Sequence, residues 1–330
     1  MMMNVGQLLA LLPILVVSLT IVAVMLLVAL KRHHWWTATI SVAGLNVALM
    51  AVVFVSLRLP PLPVTPLLVV DRFALFYMGL VLVATLACAT LSHAYMERFR
   101  GNREEIYLLL LLAALGGMVL ACSRHLGSLF VGLELLSVPA YGLVAYTFRK
   151  GRSLEAGMKY LVLSATASAT LLFGMALVYA ICGTLEFSGL EYTYRGPDAG
   201  NPILLLGTGL MLAGLAFKLS VAPFHIWTPD VYEGAPAPVG AFLATASKAA
   251  VFAVLMRFLY QSGALDAEIV RTVLAVMAGA SILIGNLLAV MQTNIKRLLA
   301  YSSIAHFGYL LIPLAAPVAT PEAMTVYLVT

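Results

Sequence analysis

Charge is what this sequence lacks most. Only 10% of its 330 residues are charged and 62% are hydrophobic, where a soluble domain carries about 25% charged residues. With a mean hydropathy of +1.02, apolar residues cannot be confined to one stripe per helix, which excludes an ordinary water-soluble fold. Cysteine is scarce too. Cys88, Cys122 and Cys182 stand far apart with no C-x-x-C or Cys/His cluster, so they read as small buried apolar residues, not metal ligands. A glycine-rich dinucleotide fingerprint and a phosphate loop are both missing, so this chain shows no means of its own to bind a nucleotide. The net charge of +5 is a topology signal and not a nucleic-acid footprint.

What the sequence does have is long apolar runs. The first covers residues 5–30, has no basic residue before it and "KRHHWW" after it. A signal peptide needs the reverse charge order, so a retained spanning helix is expected. Trp35 and Trp36 fit an interfacial belt. Nine further runs cover 37–57, 73–95, 106–122, 126–148, 154–182, 203–227, 238–260, 269–291 and 295–313, and an eleventh begins near Glu322 and is cut off at Thr330. Each complete run can cross a hydrocarbon core of about 30 Å. The runs are continuous and not alternating, so helices and not a barrel are expected. The expected fold is therefore an all-α polytopic membrane protein of about ten complete transmembrane helices plus a truncated eleventh.

Lysine and arginine set the orientation. The loop after span one carries Lys31 and Arg32, and the loop after span three Arg98, Arg100 and Arg103. The loop after span five carries Arg149, Lys150 and Arg152, and the loop after span nine Lys296 and Arg297. The opposite loops hold single basic residues such as Arg58, Arg124, Arg195 and Arg271. The positive-inside rule then puts the richer loops in the cytoplasm and the N-terminus outside. The acidic stretch with Asp230 and Glu233 falls on the cytoplasmic side.

Three charges stand out deep inside the spans. Glu134 lies about 12 Å into span five, Lys218 about 22 Å along span seven and Lys248 about 15 Å into span eight, near mid-membrane. Each is expected to cost about 2.5–3.5 kcal/mol at the bilayer centre on insertion scales, so such groups face the bundle interior and pair with each other or with water. Two readings stand: a buried Glu–Lys bridge that only fixes packing, which adds little net stability, and a proton or ion relay. The motif "GLAFKLSVAPFHIWTPD" favours the relay. Pro223, five residues after Lys218, lacks an N–H and clashes with the carbonyl of residue 219, so a break is expected there. Pro139 follows Glu134 at the same spacing, so a second break is expected on span five. Broken membrane helices occur where they line hydrated cavities.

Weaker candidates surround these. His225 follows the break and either carries a proton or is an interfacial ring. Lys159 follows Glu155 by four residues, an ordinary helix-surface pair, or sits at a cytoplasmic mouth. His306 lies about 18 Å into span ten, as a relay member or a hydrogen-bonded core residue. His33 and His34 read as interfacial. Gly207, Gly209 and Gly214 allow close helix packing.

With these residues in place a resemblance becomes plain. "FKLSVAPFHIWTPDVYEGAPAPVGAFLATASK", "LFVGLELLSVPAYGLVAY" and "TNIKRLLAYSSIAHFGYLL" resemble the antiporter-like subunits of the bacterial respiratory NADH:quinone oxidoreductase, complex I, and among them subunit N. The resemblance runs from about Leu8 to the end. It implies two inverted five-helix repeats: a three-helix segment over 1–104, a first repeat over 105–262, and the start of a second over 263–330. The second repeat is then incomplete, which suggests a fragment of a longer protein. The resemblance matches Glu134, Lys218 and Lys248 to the family's proton-relay glutamate and lysines. It implies a proton-translocating membrane-arm subunit in the bacterial inner membrane, N-terminus periplasmic, beside sister antiporter-like subunits. No cofactor is implied in this chain; NADH, FMN, iron–sulfur clusters and quinone belong to the complex. Two alternatives stay open: a subunit of a stand-alone cation/proton antiporter, and a structural subunit that moves nothing.

Overall fold

The computed structural model describes residues 4–99, 101–149, 151–316 and 321–329; Arg100 and Lys150, counted above among the basic loop residues, lie outside the described residues. Among the described residues ten helices are long and apolar enough to cross a membrane. In chain order the elements are α1 (Val5–Ala10), α2 (Leu12–Leu30), α3 (His34–Arg58), the two-residue strands β1 (Leu62–Pro63) and β2 (Val69–Val70), α4 (Arg72–Glu97), α5 (Glu105–Cys122), α6 (Leu126–Val144) and α7 (Gly151–Cys182). Then come the short α8 (Phe187–Tyr194), α9 (Pro202–Leu219), α10 (Trp227–Gly234) and α11 (Ala237–Phe242), which continues through a π turn over Leu243–Ser247 into α12 (Lys248–Ser262). The chain goes on through α13 (Glu268–Val290), α14 (Ile295–Ala315) and α15 (Pro321–Val329).

Local chemistry sets the helix starts. The Asp71 carboxylate accepts the Ala74 N–H at 2.7 Å, the Asn201 side chain the Ile203 N–H at 2.9 Å, and the Asn294 side chain the Lys296 N–H at 3.0 Å. Each satisfies one of the N–H groups that a helix leaves open at its start. The first apolar run is not one unbroken helix. Pro13 sits in the first turn of α2, where its missing N–H is harmless, and the chain divides at Leu11.

The chain forms two compact units. The first comprises Met1–Gly157 and Ala235–Val254. Its fully buried side chains include Leu45, Tyr77, Met78, Tyr107, Phe242 and Phe252. Strands β1 and β2 pair antiparallel, Leu62 with Val70 and Pro63 with Val69. Their turn is tied to the start of α6, where the Ser128 hydroxyl donates to the Leu67 carbonyl at 2.8 Å.

The break expected at Pro139 does not form. Pro139 lies inside a continuous α6. The reason is packing: α5 presses its backbone against α6 at the residue whose carbonyl the proline leaves free. A Cβ built on Gly116 would lie 2.3 Å from the Leu136 nitrogen and 2.6 Å from the Leu135 carbonyl carbon. A proline then removes one hydrogen bond from a helix that its neighbour holds in place.

The second unit comprises Met158–Gly234 and Leu255–Thr330. Glycines set its close approaches. A Cβ on Gly207 would lie 2.9 Å from the Gly174 carbonyl oxygen, and one on Gly214 the same distance from the Ala167 carbonyl oxygen, so α9 lies directly on α7. Gly209 does not share this role and faces open space. It stands two residues from Gly207, about 200° around the helix, whereas Gly214 returns to the same face. Gly285 and Gly308 do the same for α13 and α14, against Ala305 and the Ala278 carbonyl.

Gly116→Val should therefore lower the thermal stability of the solubilised protein, by about 1–3 kcal/mol as overpacking does. Gly209→Val, the control at an open position, should leave the melting temperature nearly unchanged. Equal melting curves for both variants would remove the account of why α6 stays whole.

Candidate functional site

The site grows out of the end of α9. Its last turn carries Lys218, which is 5% exposed, and its ammonium donates to the Ser164 hydroxyl on α7 at 2.5 Å. The glycine contacts between α7 and α9 bring those two residues within reach.

The helix ends as expected between Lys218 and Pro223, but not by the proline alone. Ser220 takes the left-handed conformation, φ 63°. Its N–H reaches the Phe217 carbonyl at 3.0 Å, and the Val221 N–H reaches back to the Ala216 carbonyl at 2.9 Å. This is a Schellman ending with serine where glycine is usual. Pro223 lies three residues further on, in the connector 220–226, and prevents the helix from resuming.

The broken ends are held from three sides. The Trp227 indole N–H donates to the Phe217 carbonyl at 2.9 Å, and its ring stacks on Phe217 and Tyr160, with centroids 5.3 and 4.8 Å away. The buried Ala222 N–H donates to the Ser281 hydroxyl of α13 at 2.9 Å, and Ser281 in turn donates to the Met277 carbonyl at 2.6 Å. Around the same break Ser220 Oγ, His225 Nδ1 and Thr228 Oγ1 are buried and meet no hydrogen-bond partner among the described residues. Three such atoms within nine residues, from the connector into the first turn of α10, call for an explanation, and polar sites of this kind are where proteins bind internal water.

An ionic cluster fixes α10 at its far side. Asp230 accepts from Lys159 of α7 at 3.0 Å and from Arg297 of α14 at 2.7 Å. Arg297 also donates to Glu233 at 3.1 Å, and Lys296 to the Glu233 carbonyl at 3.2 Å. Partial burial pushes the Asp230 carboxyl up, but the hydrogen bonds and charges of Arg297 and Lys159 together hold it below its ordinary value. Lys159, expected as a helix-surface partner of Glu155, is thus exposed and also bonded across to α10.

The remaining candidates separate. His225 is half-buried in the connector. His306 lies on an exposed face of α14, its Nδ1 3.0 Å from the Tyr327 hydroxyl. In the first unit Lys248 is 1% exposed and follows directly on the π turn, while Glu134 is half-buried on the unbroken α6. Such π turns concentrate at functional positions. Among the described residues no group of three or more His, Cys, Asp or Glu is placed to hold a metal ion. Sequence reasoning missed Ser164, Ser281, the Asp230 cluster and the π turn. Asp230 and Arg297 were visible as charges beside apolar runs, whereas a serine in a transmembrane run carries no signal of its own.

The NADH:quinone oxidoreductase/Mrp antiporter transmembrane family matches residues 123–330, a range that includes the helix break, Glu134, Lys159, Lys218 and Lys248. The chain belongs to this family. Among solved structures it is similar to a chain of respiratory complex I from Thermus thermophilus, solved with bound aureothin, at 37% identity and a TM-score of 0.81, over 96% of this chain and 66% of that one. It is also similar to a chain of the membrane-bound sulfane sulfur reductase, an archaeal respiratory membrane complex, at 25% identity and a TM-score of 0.85 over 98% and 68%. A chain of the Mrp complex from a Dietzia species matches at 25% identity and a TM-score of 0.83 over 99% and 62%. The chain thus spans about two thirds of the length of these family members.

Two outcomes follow from the geometry. Ser281→Ala should lower stability by about 1–3 kcal/mol, because a buried N–H loses its acceptor, and Ser281→Thr should restore it; thermal melts of the three proteins check this. Asp230→Asn should destabilise the protein at neutral pH. The folded Asp230 carboxyl is the stronger acid, so its contribution is complete above the ordinary carboxylate range and is lost as pH falls through the folded value. The gap between wild type and Asp230→Asn should therefore stay constant from about pH 7 to 5 and close only below about pH 4. A gap that closes near neutral pH would point to a different group.

Proposed function

We propose that this chain is a proton-translocating subunit in the membrane arm of a respiratory NADH:quinone oxidoreductase. The observation that carries the reading is the buried Lys218 ammonium at the last turn of an interrupted helix, bonded to a hydroxyl and bordered by orphan polar atoms. Family membership supports it, as does the higher identity to the complex I chain than to the Mrp chain.

In this reading Glu134, Lys218 and Lys248 are the relay, and Glu134 is the carboxylate partner of Lys218. Burial lowers the proton affinity of a lysine and a nearby carboxylate raises it. A change in that pairing releases or recaptures a proton, and the pair titrates as one coupled system. The proton moves by water along the break towards Lys248. Lys159, His225 and His306 are secondary candidates for the route, with Lys159 at its cytoplasmic mouth. The chain itself carries out no redox step. NADH, FMN, iron–sulfur clusters and quinone belong to partner subunits, among them sister antiporter-like subunits. We place it in a bacterial inner membrane with its N-terminus periplasmic, and divide it into a three-helix segment (1–104), a first repeat (105–262) and part of an inverted second (263–330).

Lys248→Met and Lys218→Met test the reading in the assembled complex. Methionine keeps the volume and removes a burial penalty, so assembly should be preserved. Proton uptake into vesicles per NADH oxidised should fall in both. An unchanged ratio and rate would leave the lysines as packing. Sodium flux in membranes without NADH would favour the stand-alone antiporter.

A further inference from the structure

Three helices of the first unit bring together titratable groups that the Lys218 site does not use. They meet at the end of the bundle that carries Arg32, Arg98, Arg103 and Arg149. His34 opens α3, His93 lies in the last two turns of α4, and Tyr107 stands in the first turn of α5. The His34 and His93 rings meet edge to face with centroids 4.7 Å apart, and the Tyr107 ring lies 5.6 Å from that of His34.

The hydrogen bonding of these groups is incomplete in a specific way. His34 Nε2 faces the His93 carbonyl oxygen at 3.4 Å. A carbonyl only accepts, so Nε2 carries the hydrogen of the neutral ring. Nδ1 is then a bare lone pair, and it is buried with no partner among the described residues. The Tyr107 side chain is fully buried, and its hydroxyl also lacks a partner among them. One orphan is an acceptor and the other has a hydrogen to donate. Two complementary orphans on one ring contact mark a place for a water or a proton.

The charged surroundings are mixed. Glu97 lies 3.6 Å from His93 Nδ1 and is exposed. Glu104 is buried and accepts the Arg103 N–H at 2.9 Å, while Glu105 pairs with Arg32 at 2.9 Å. The charges of Glu104 and Arg103 reach His34, and those of Glu104 and Glu97 reach Tyr107. His33, beside His34 on the chain, is exposed. The cluster thus has an acidic, wet rim at Glu97 and a dry interior at Tyr107.

The seam below it leads towards Lys248. The buried face of α4 carries Ser92, Cys88, Thr85 and Val81 in succession. On α5 the seam runs from Tyr107 to Gly117, where a Cβ would lie 3.2 Å from both Val81 and Ala250. Ala250 stands two residues past Lys248 on α12, about 200° around the helix, so the seam reaches the turn that carries Lys248 and not its side chain.

We propose that His34, His93 and Tyr107, with Glu97 at the rim, form a proton-loading site at the head of the α4/α5 seam, serving Lys248 by a route separate from the helix break at Lys218. This rests on the reading that Lys248 takes part in proton transfer. A proton from the aqueous side arrives by Glu97 and the His93 ring it faces, passes to the touching His34 ring at Nδ1 and makes an imidazolium with two donors. It leaves from the same nitrogen, through a water held by the Tyr107 oxygen, into the seam, and the ring returns to its starting tautomer.

The test uses the full-length protein in its assembled complex in vesicles. Tyr107→Phe removes a single oxygen, and His34→Gln keeps a donor without a titratable ring. Both should leave uncoupled NADH oxidation near wild type. Proton uptake per NADH should fall several-fold and lose its dependence on pH between about 5 and 8, the range in which histidine changes charge. Unchanged ratios and pH profiles in both, with Lys248→Met still lowering uptake, overturn the loading site and leave the relay standing. Unchanged uptake in all three overturns both. A second measurement needs no variant: an experimental map that shows ordered water elsewhere in the bundle should show one within hydrogen-bond reach of both His34 Nδ1 and the Tyr107 oxygen, and a dry contact there overturns the proposal.

Discussion

A lysine ammonium inside a hydrocarbon layer has to be solvated by something, and most of the second unit is arranged around that requirement. A straight helix offers its own side chains nothing polar, because its carbonyls are used by its N–H groups. Ending α9 one residue after Lys218 changes this. The Schellman turn at Ser220, the indole on the Phe217 carbonyl and the Ser281 hydroxyl under the Ala222 N–H satisfy the backbone. What remains open is side-chain polarity: three orphan atoms beside a bonded lysine. The backbone is closed, and the polarity left over sits on buried side chains.

Holding such a break rigid is the second requirement, and it is met by different means at the two ends. Near Lys218 the clamp is aromatic and apolar, through Trp227 between Phe217 and Tyr160. At the far side of α10 it is ionic, through Asp230 and Glu233 between α7 and α14. The assignment follows the solvent. Ring stacking works without water, whereas partly exposed charges are individually weak and gain by forming a network. A single carboxylate shared by a lysine and an arginine also ties two helices to one short helix that has little packing surface of its own.

The two buried lysines of the motif are reached by unlike backbone devices. Lys218 sits at a full interruption, Lys248 directly behind a single π turn in an otherwise continuous span. Both devices rotate or free one turn of backbone, and at Lys218 the nearest proline only completes an ending that the turn at Ser220 begins. Pro139 makes the same point from the other side, since a proline inside α6 left that helix whole where α5 packs against it through Gly116.

The sequence by itself determined the membrane class, the ten spans and their order, because hydrocarbon thickness translates directly into run length. It also determined that Lys218 and Lys248 fall within apolar spans, since a charge in an apolar run is conspicuous, and it pointed to the break in span seven, since a proline has a fixed local chemistry. Tertiary structure decided which proline breaks a helix and which does not, for the missing N–H can be tolerated where a neighbouring helix holds the backbone. It alone chose Gly207 and Gly214 over Gly209, a matter of which face of α9 meets α7. It brought Ser164 and Ser281 to the break from helices distant in the chain, and at the far side of α10 it paired Asp230 with Arg297 and with Lys159, 71 residues away. Hydroxyls and long-range ion pairs leave no periodic trace in a sequence, because their partners are fixed by packing and not by spacing along the chain.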